Sequence, residues 1–135
     1  ADTIFRTSVD SLVLDGNYSG EIILNKTDST LIMETSKSYT LPTNRRPVYL
    51  EISYRTQTTL RVGLYGINIV TGLVTNVPFI NLNPSNGEWR KVYLNVASEV
   101  SSFTNTKFKV YIKADHLNTQ TQSQILLDNF QLIYQ

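Results

Sequence analysis

Tyrosines and cationic side chains alternate with apolar residues in three segments of the chain, and this pattern has the chemistry of a binding surface. Flat aromatic rings pack against the C–H groups of sugars, and rigid donors and acceptors bind hydroxyl groups. If the three segments belong to one sheet, their outward side chains form one exposed face. The ligand-binding residues predicted on this face are Tyr93, Tyr111, Arg55, Tyr49, Lys91 and Lys113, and its other members are Glu51, Ser53, Asn95 and Lys109.

Two other interpretations of this face remain open. Tyr and Lys alternating with core residues are also typical of an ordinary solvated sheet face, where they favour solubility and protect sheet edges. The cations near Tyr93 and Tyr111 would favour an acidic glycan, but a net charge of +1, from 12 basic and 11 acidic residues, argues against strong attraction for polyanions. Nucleic acid is not an expected partner.

No residue set identifies a reaction. The single histidine, His116, is predicted in a surface turn with no nucleophile signature near it. Glycoside hydrolysis by Glu51 with Glu88 or Asp115 stays open, but nothing in the spacing identifies such a pair. The sequence has no phosphate-binding glycine loop, HExxH motif or zinc-type histidine spacing. We therefore expect a protein that is not an enzyme.

The elements that must position these residues are nearly all strands. Many threonines, with eight tyrosines, favour a pleated backbone, and turn residues at short intervals indicate an antiparallel sandwich or barrel. The one expected helical turn spans Ala97–Phe103, with Ser98 as its cap. The predicted strands are Thr3–Val9, Ser11–Leu14, Gly20–Asn25, Thr30–Thr35, Val48–Thr56, Thr59–Tyr65, Val74–Asn81, Trp89–Val96, Lys107–Ala114 and Gln124–Tyr134.

Alternation also predicts which side chains face the core. Across Asp128-Asn129 the apolar parity changes, from Ile125 and Leu127 to Phe130 and Leu132, which predicts a β-bulge at this pair. The other inward sets are Val48, Leu50, Ile52 and Tyr54, then Val92, Leu94 and Val96, then Phe108, Val110, Ile112 and Ala114.

Length and composition favour a single β-sandwich domain over residues 1–135. A chain of this size can bury one core without disulfides, and this chain contains no cysteine to form them. No apolar run approaches the ~20 residues that cross a bilayer, so membrane insertion of this segment is not expected.

In their order along the chain, several segments resemble the galactose-binding-like jelly-roll superfamily. They are Asp15–Gly20 leading into Glu21–Leu24, then Val48–Thr56, Gly87–Leu94, Phe108–Ala114 and Ile125–Leu132. Within it, the chain looks like non-catalytic carbohydrate-binding modules and related domains of bacterial surface lipoproteins. The resemblance implies an all-β jelly-roll sandwich of two antiparallel sheets that binds sugar on a concave sheet face or at loop tips, often with a structural calcium ion.

The resemblance also suggests roles for two residues. Asp128 stands where related domains place a carboxylate that caps the bulge or ligates calcium, and Asp10 or Asp15 would supply further ligands. Trp89 follows a turn and opens a strand. It is either an edge-of-core residue whose indole donates to a backbone carbonyl or a sugar platform.

The sequence thus predicts a secreted or bacterial cell-surface module that binds carbohydrate weakly on an exposed sheet face. The alternative is a structural or adhesive sandwich that packs against a protein partner or a neighbouring domain. A sugar binder should have a concave groove floored by aromatic rings, whereas a packing module should have a broad apolar patch.

Overall fold

The computed structural model describes the backbone of residues 5–7 and 20–134, and side chains from residue 21 to residue 134. The described residues form nine strands and one short helix. Their bounds are β1 Phe5–Thr7, β2 Gly20–Leu24, β3 Thr30–Thr35, β4 Val48–Thr56, β5 Leu60–Asn68, β6 Val74–Leu82, β7 Arg90–Asn95, α1 Ala97–Ser101, β8 Thr106–Asp115 and β9 Ser123–Tyr134. The predicted strand Ser11–Leu14 lies outside the described residues.

The strands form two antiparallel sheets packed face to face as a jelly-roll β-sandwich. The front sheet has five strands in the order β1-β3-β8-β5-β6, and the back sheet has four in the order β2-β9-β4-β7. Among the described strands, β5 and β6 alone are both consecutive in the chain and paired in a sheet. Sheet membership is therefore decided mainly by pairings between distant segments.

The inner faces of both sheets meet in one apolar cluster. The inward residues predicted on β4 and β8 are all buried, as are Leu94 and Val96, while Val92 is half-buried against the cluster. Burial of each large aliphatic side chain contributes roughly 1.5–3 kcal/mol. The predicted fold class and facing are confirmed, and the prediction of a single domain over residues 1–135 stays a prediction.

The predicted bulge in β9 is present. Glu51 pairs with Gln131 and Ser53 pairs with Asp128, so that two residues of β9 oppose one residue of β4. Asn129 has φ 49°, in the left-handed region that asparagine tolerates better than most residues. Beyond it the inward parity changes as predicted, which keeps both halves of the longest strand on the core.

The helical turn is shorter than predicted and is capped differently. Ser98 lies inside α1 rather than at its start, and Val96 occupies the N-cap position without a side-chain cap. Asn95 provides the nearby bond instead, because its Oδ1 accepts the backbone N–H of Ala97 at 3.0 Å. In the part of the chain that the structure describes, no helix is long and apolar enough to cross a bilayer.

The bulge yields a stability prediction. Asn129→Val should lower the free energy of unfolding by about 1–2 kcal/mol, because a β-branched residue is strained at positive φ. Asn129→Gly should change it by less than about 1 kcal/mol, since glycine adopts this conformation freely. Urea denaturation measures both. Equal stabilities of the two variants would contradict a conformational requirement at this exposed position.

Candidate functional site

The predicted binding face is divided between the two sheets. Tyr49, Arg55, Lys91 and Tyr93 lie on β4 and β7, and therefore on the outer face of the back sheet. Tyr111, Lys113 and Lys109 lie on β8, which pairs with β3 and β5 in the front sheet. The expectation of one shared face is wrong, because alternation specifies the side of a strand on which a residue lies but not the sheet that the strand joins.

On the front sheet, Tyr111 packs against Tyr65 of β5. Their ring centroids are 4.6 Å apart with the planes tilted by 33°, and the Tyr111 hydroxyl donates to Asn76 Oδ1 at 2.7 Å. Tyr111 is only 3 % exposed although it points away from the sandwich core. The prediction of Tyr111 as an exposed ligand contact is therefore wrong, and the ring instead forms part of the floor of this face.

Gly63 creates the space that this ring occupies. It pairs with Tyr111 across β5 and β8, and a Cβ at this position would lie 2.3 Å from the tyrosine ring. Any side chain here would displace the ring. Because Gly63 has no side chain, the Tyr111 ring packs directly against the backbone of β5 and is buried on the outer face of the sheet.

Cations surround the tyrosine pair. Lys113 Nζ lies 4.7 Å from the centroid of Tyr111 and 5.3 Å from that of Tyr65, within the range of cation–π attraction. Arg61 donates to Asp115 Oδ2 at 2.8 Å, and this hydrogen bond lowers the pKa of the Asp115 carboxyl. Lys113 has no carboxylate within 4.0 Å among the side chains of residues 21–134.

A groove of about 430 Å³ lies beside these groups on the front face, a volume within the usual range for small-molecule sites. Its walls combine apolar side chains with amides and cations held on strands. The lining residues are Arg61, Val62, Asn76, Pro78, Phe79, Ile80, Asn81, Tyr111 and Lys113. We call this feature the front groove.

Sequence reasoning identified Lys113 and Tyr111 but missed most of the front groove. Arg61 and Asn76 have no signature in the sequence, and Tyr65 ends a predicted strand as an isolated tyrosine, which by itself indicates no ligand contact. The available signal was the alternation of Arg61, Gly63 and Tyr65 in β5, which places them on one face. Their meeting with β8 depends on strand order, which a single sequence does not specify.

The back face has a different character. Glu51 is buried, and its carboxylate forms an ion pair with Lys91, in which the ammonium donates at 2.6 Å. That hydrogen bond raises the pKa of Lys91, and the same ammonium lies 5.5 Å from the Tyr93 ring centroid. Lys91 is thus neutralised within the protein, while Tyr93 remains 59 % exposed.

Apolar and aromatic side chains are exposed around this ion pair. Trp89 is 47 % exposed, so it lies at the surface rather than at the edge of the core. A notch of about 420 Å³ lies at one end of β4 and β9, beside Tyr49 and Tyr134. The Arg55 guanidinium lies near the Gly87 turn. The exposed apolar residues on the strands of this sheet include Ile23, Tyr49, Tyr93 and Ile133.

Asp128 serves the bulge. Its Oδ1 accepts the backbone N–H of Asn129 at 2.8 Å, which is the capping role weighed against calcium ligation. Among the described residues, no group of three or more His, Asp or Glu side chains is arranged to hold a metal ion. Asp10 and Asp15 lie outside the described residues, so structural calcium at Asp128 stays a prediction.

His116 is buried rather than at the surface, which corrects the prediction of an exposed turn histidine. Its Nδ1 lies 3.0 Å from Ser123 Oγ, and that hydroxyl donates to Gln120 Oε1 at 2.8 Å and accepts the N–H of Leu117. Because Ser123 is fully buried and its proton is directed to Gln120, this pair lacks the exposed nucleophile that acyl transfer requires. Its bonds instead tie the turn after β8 to β9.

The fold separates one of the carboxylate pairs left open by the sequence, Glu51 with Asp115. Glu51 lies on the back sheet, and Asp115 ends β8 of the front sheet. Asp115 is also engaged by Arg61 and by the Thr30 hydroxyl. Two carboxyl groups on opposite sheets cannot flank one glycosidic bond.

Comparison with solved structures identifies modules of similar architecture. A carbohydrate-binding module of family 28, specific for non-crystalline cellulose, superposes with TM-score 0.54 at 14% identity, over 91% of this chain and 75% of that one. A family 11 module from Clostridium thermocellum, in complex with a β-1,3-1,4-mixed-linked tetrasaccharide, gives 0.51 at 10% identity over 99% of this chain and 96% of that one. The module TmCBM61, in complex with β-1,4-galactotriose, gives 0.50 at 14% identity over 87% of this chain and 71% of that one.

Sequence comparison adds no relative. No family model matches the chain, and no curated protein is detectably similar to it. At identities of 10–14% the structural likeness shows the fold, which is a jelly-roll β-sandwich like that of these carbohydrate-binding modules. The predicted resemblance is thereby confirmed at the level of architecture.

The close approach of Gly63 and Tyr111 predicts a coupling in stability. Gly63→Ala should lower the free energy of unfolding by about 1–3 kcal/mol through overpacking against the ring. In a Tyr111→Ala background the same change should cost almost nothing, because the space is vacant. Denaturant unfolding of the four proteins measures the cycle, and an equal cost in both backgrounds would refute the contact.

The burial of Tyr111 predicts an altered titration. Burial raises the pKa of its hydroxyl above the ordinary value of 10.0, although the nearby charge of Lys113 opposes the shift. The difference between ultraviolet titrations of the wild type and Tyr111→Phe should therefore have its midpoint above pH 10.0.

The sign of the linked stability follows from the same shift. Because the folded pKa lies above the unfolded one, the stabilisation is complete below about pH 10 and is lost as the pH rises through the folded pKa. The free energy of unfolding of Tyr111→Phe should therefore fall less than that of the wild type as the pH rises above about 10. A difference midpoint at or below that of free tyrosine would contradict the buried position of the hydroxyl.

Proposed function

We propose that this chain is a non-catalytic carbohydrate-binding module and that the front groove is its binding site. The observation that carries the proposal is a groove on a rigid sheet face, in which amide and cationic donors adjoin a packed pair of tyrosines. Sugar recognition needs apolar surface for ring C–H groups and fixed partners for hydroxyl groups. Pro78 and Ile80, both exposed, supply the former.

The polar groups of the groove are suited to hydroxyl recognition because the fold holds them in place. Asn76 accepts from Tyr111 through its carbonyl oxygen, which leaves its NH2 group to donate to a ligand. Arg61 is oriented by Asp115, and Lys113 by the two rings. Groups that are already ordered lose little conformational entropy when a ligand binds.

Similarity of fold to modules whose structures contain bound oligosaccharides supports the same function. Such a module would act outside the cytoplasm, so we propose that the chain is secreted or displayed at a bacterial cell surface, within a lipoprotein or a larger exported protein. Weak binding through one shallow groove would suit a module that keeps its parent protein near a polysaccharide.

A second candidate function has support on the opposite side of the sandwich. The back face exposes Ile23, Tyr49, Tyr93 and Ile133, which is the kind of apolar surface expected of a packing module. In this alternative the chain is a structural or adhesive sandwich whose back face packs against a neighbouring domain or a protein partner. Glycan binding is then not required of either face.

A matched pair of tyrosine variants tests the proposed function. Tyr65→Ala, beside the front groove, should lower the affinity for a retained glycan about tenfold, because an aromatic contact and the support of Lys113 are lost. Tyr93→Ala makes the same change on the back face and should leave the affinity unaltered. A glycan array followed by affinity electrophoresis provides the measurement, with the melting temperature as a check on folding.

The possible results separate the candidates. Loss on Tyr93→Ala with full binding by Tyr65→Ala would move the site to the back face and overturn the assignment to the front groove. Failure of the wild-type protein to bind any glycan would overturn carbohydrate binding itself and favour the adhesive alternative.

A further inference from the structure

The charges of the front groove restrict the class of sugar that it would accept, an inference that rests on the proposed function. Among the described residues that line the groove, Arg61 and Lys113 are cationic and none carries a carboxylate. Two carboxylates lie near the groove and are paired: Asp115 with Arg61 of the lining at 2.8 Å, and Glu34 with Lys109 at 3.5 Å. Lys113 is left without a carboxylate partner inside 4.0 Å in the described part of the chain.

Lys113 is also held in position. It is half-buried, and its ammonium lies over both Tyr65 and Tyr111. Two ring faces attract a cation but do not neutralise it, and they accept none of its N–H bonds as strongly as an anionic oxygen does. The Lys113 ammonium can therefore still bind an anionic group at the groove.

The tyrosine hydroxyl does not supply that anion. Burial raises the pKa of Tyr111, so the hydroxyl stays protonated at neutral pH and donates to Asn76. The free NH2 group of Asn76 adds another donor to the same groove. The surface that a ligand would meet thus offers hydrogen-bond donors and the charge of Lys113, which no carboxylate of the described residues neutralises.

The back face provides an internal comparison. Lys91 also lies near a tyrosine ring, but Glu51 binds its ammonium at 2.6 Å. A lysine beside a tyrosine ring is therefore present on both faces, but a carboxylate neutralises its charge only on the back face. The net charge of +1 does not oppose local selectivity, because a fixed charge acts within a Debye length of about 8–10 Å.

We propose that the front groove selects an acidic glycan, in which a carboxylate or sulfate group of the sugar is bound by Lys113 with Arg61 as the second cation. Hydroxyl groups of the same sugar would accept from Asn76, and its ring C–H groups would pack over Pro78 and Ile80. The carboxylate of a uronic acid and the sulfate of an ester share the required charge and acceptor oxygens.

The test compares acidic glycans with neutral partners of the same backbone. Polygalacturonate, alginate and glucuronoxylan are each paired with their carboxyl-reduced forms, and a sulfated galactan is paired with its desulfated form. At least one acidic member should be bound, and its neutral partner about tenfold more weakly or not at all. Binding should also fall in 1 M salt, where the Debye length is about 3 Å.

Three variants assign the effect to the groove. Lys113→Gln should lower the affinity for the bound acidic glycan about tenfold and any affinity for its neutral partner by a smaller factor, because the glutamine amide still donates to hydroxyl groups but carries no charge. Asp115→Asn should raise the acidic affinity, because it removes the negative charge that neutralises Arg61 while the asparagine amide oxygen can still accept from the guanidinium. Lys107→Gln is the charge control, since it removes the same charge from an exposed residue of the same strand and should have no effect.

Each remaining result is decisive. Equal binding of acidic and neutral partners, or equal effects of Lys113→Gln and Lys107→Gln, would overturn selectivity while leaving carbohydrate binding intact. Selective binding of the carboxylates alone or of the sulfated galactan alone would identify the source of the charge. If the protein bound neither these polymers nor any neutral glycan on the array, the proposed function itself would be overturned.

Discussion

The strands from β2 to β9 each contribute one face to a shared apolar core, and this requirement determines on which side of its strand a polar side chain lies. A residue that alternates with the core must lie on the outside of its own sheet, and the two outer faces lie on opposite sides of the sandwich. Tyr93 and Tyr111 therefore occupy separate surfaces although their strands have the same alternating pattern. The front groove is lined by Tyr111 and not by Tyr93.

The two faces use the same chemistry differently. On the back sheet, Lys91 is bound by a nearly buried carboxylate and serves the protein itself. On the front sheet, Lys113 is ordered by aromatic rings, which hold the side chain while leaving its charge available. The partner of a lysine, more than its presence, therefore distinguishes a structural cation from one that can meet a ligand.

Two positions with unusual backbone requirements shape these surfaces. Gly63 permits the close approach that buries Tyr111 on an outer face, and Asn129 provides the positive φ that restores the inward parity of β9. Neither residue lines the front groove. Both act by setting where neighbouring side chains lie, which is why the jelly-roll architecture alone does not specify a ligand.

The extent of β4, the burial of Leu50 and Ile52, and the bulge at Asn129 were predictable because alternation is a local property of one strand. These features require no knowledge of what lies beside the strand. The sequence by itself therefore determined the class of fold and the inward half of each clear strand.

Only the tertiary structure decided which strands are neighbours. The pairing of Tyr111 with Gly63 and the position of Lys113 over Tyr65 join segments nearly 50 residues apart, and such pairings depend on the free energy of the whole sandwich rather than on either segment. The front groove is therefore a product of strand order, since its residues have no common pattern until β8 lies beside β5.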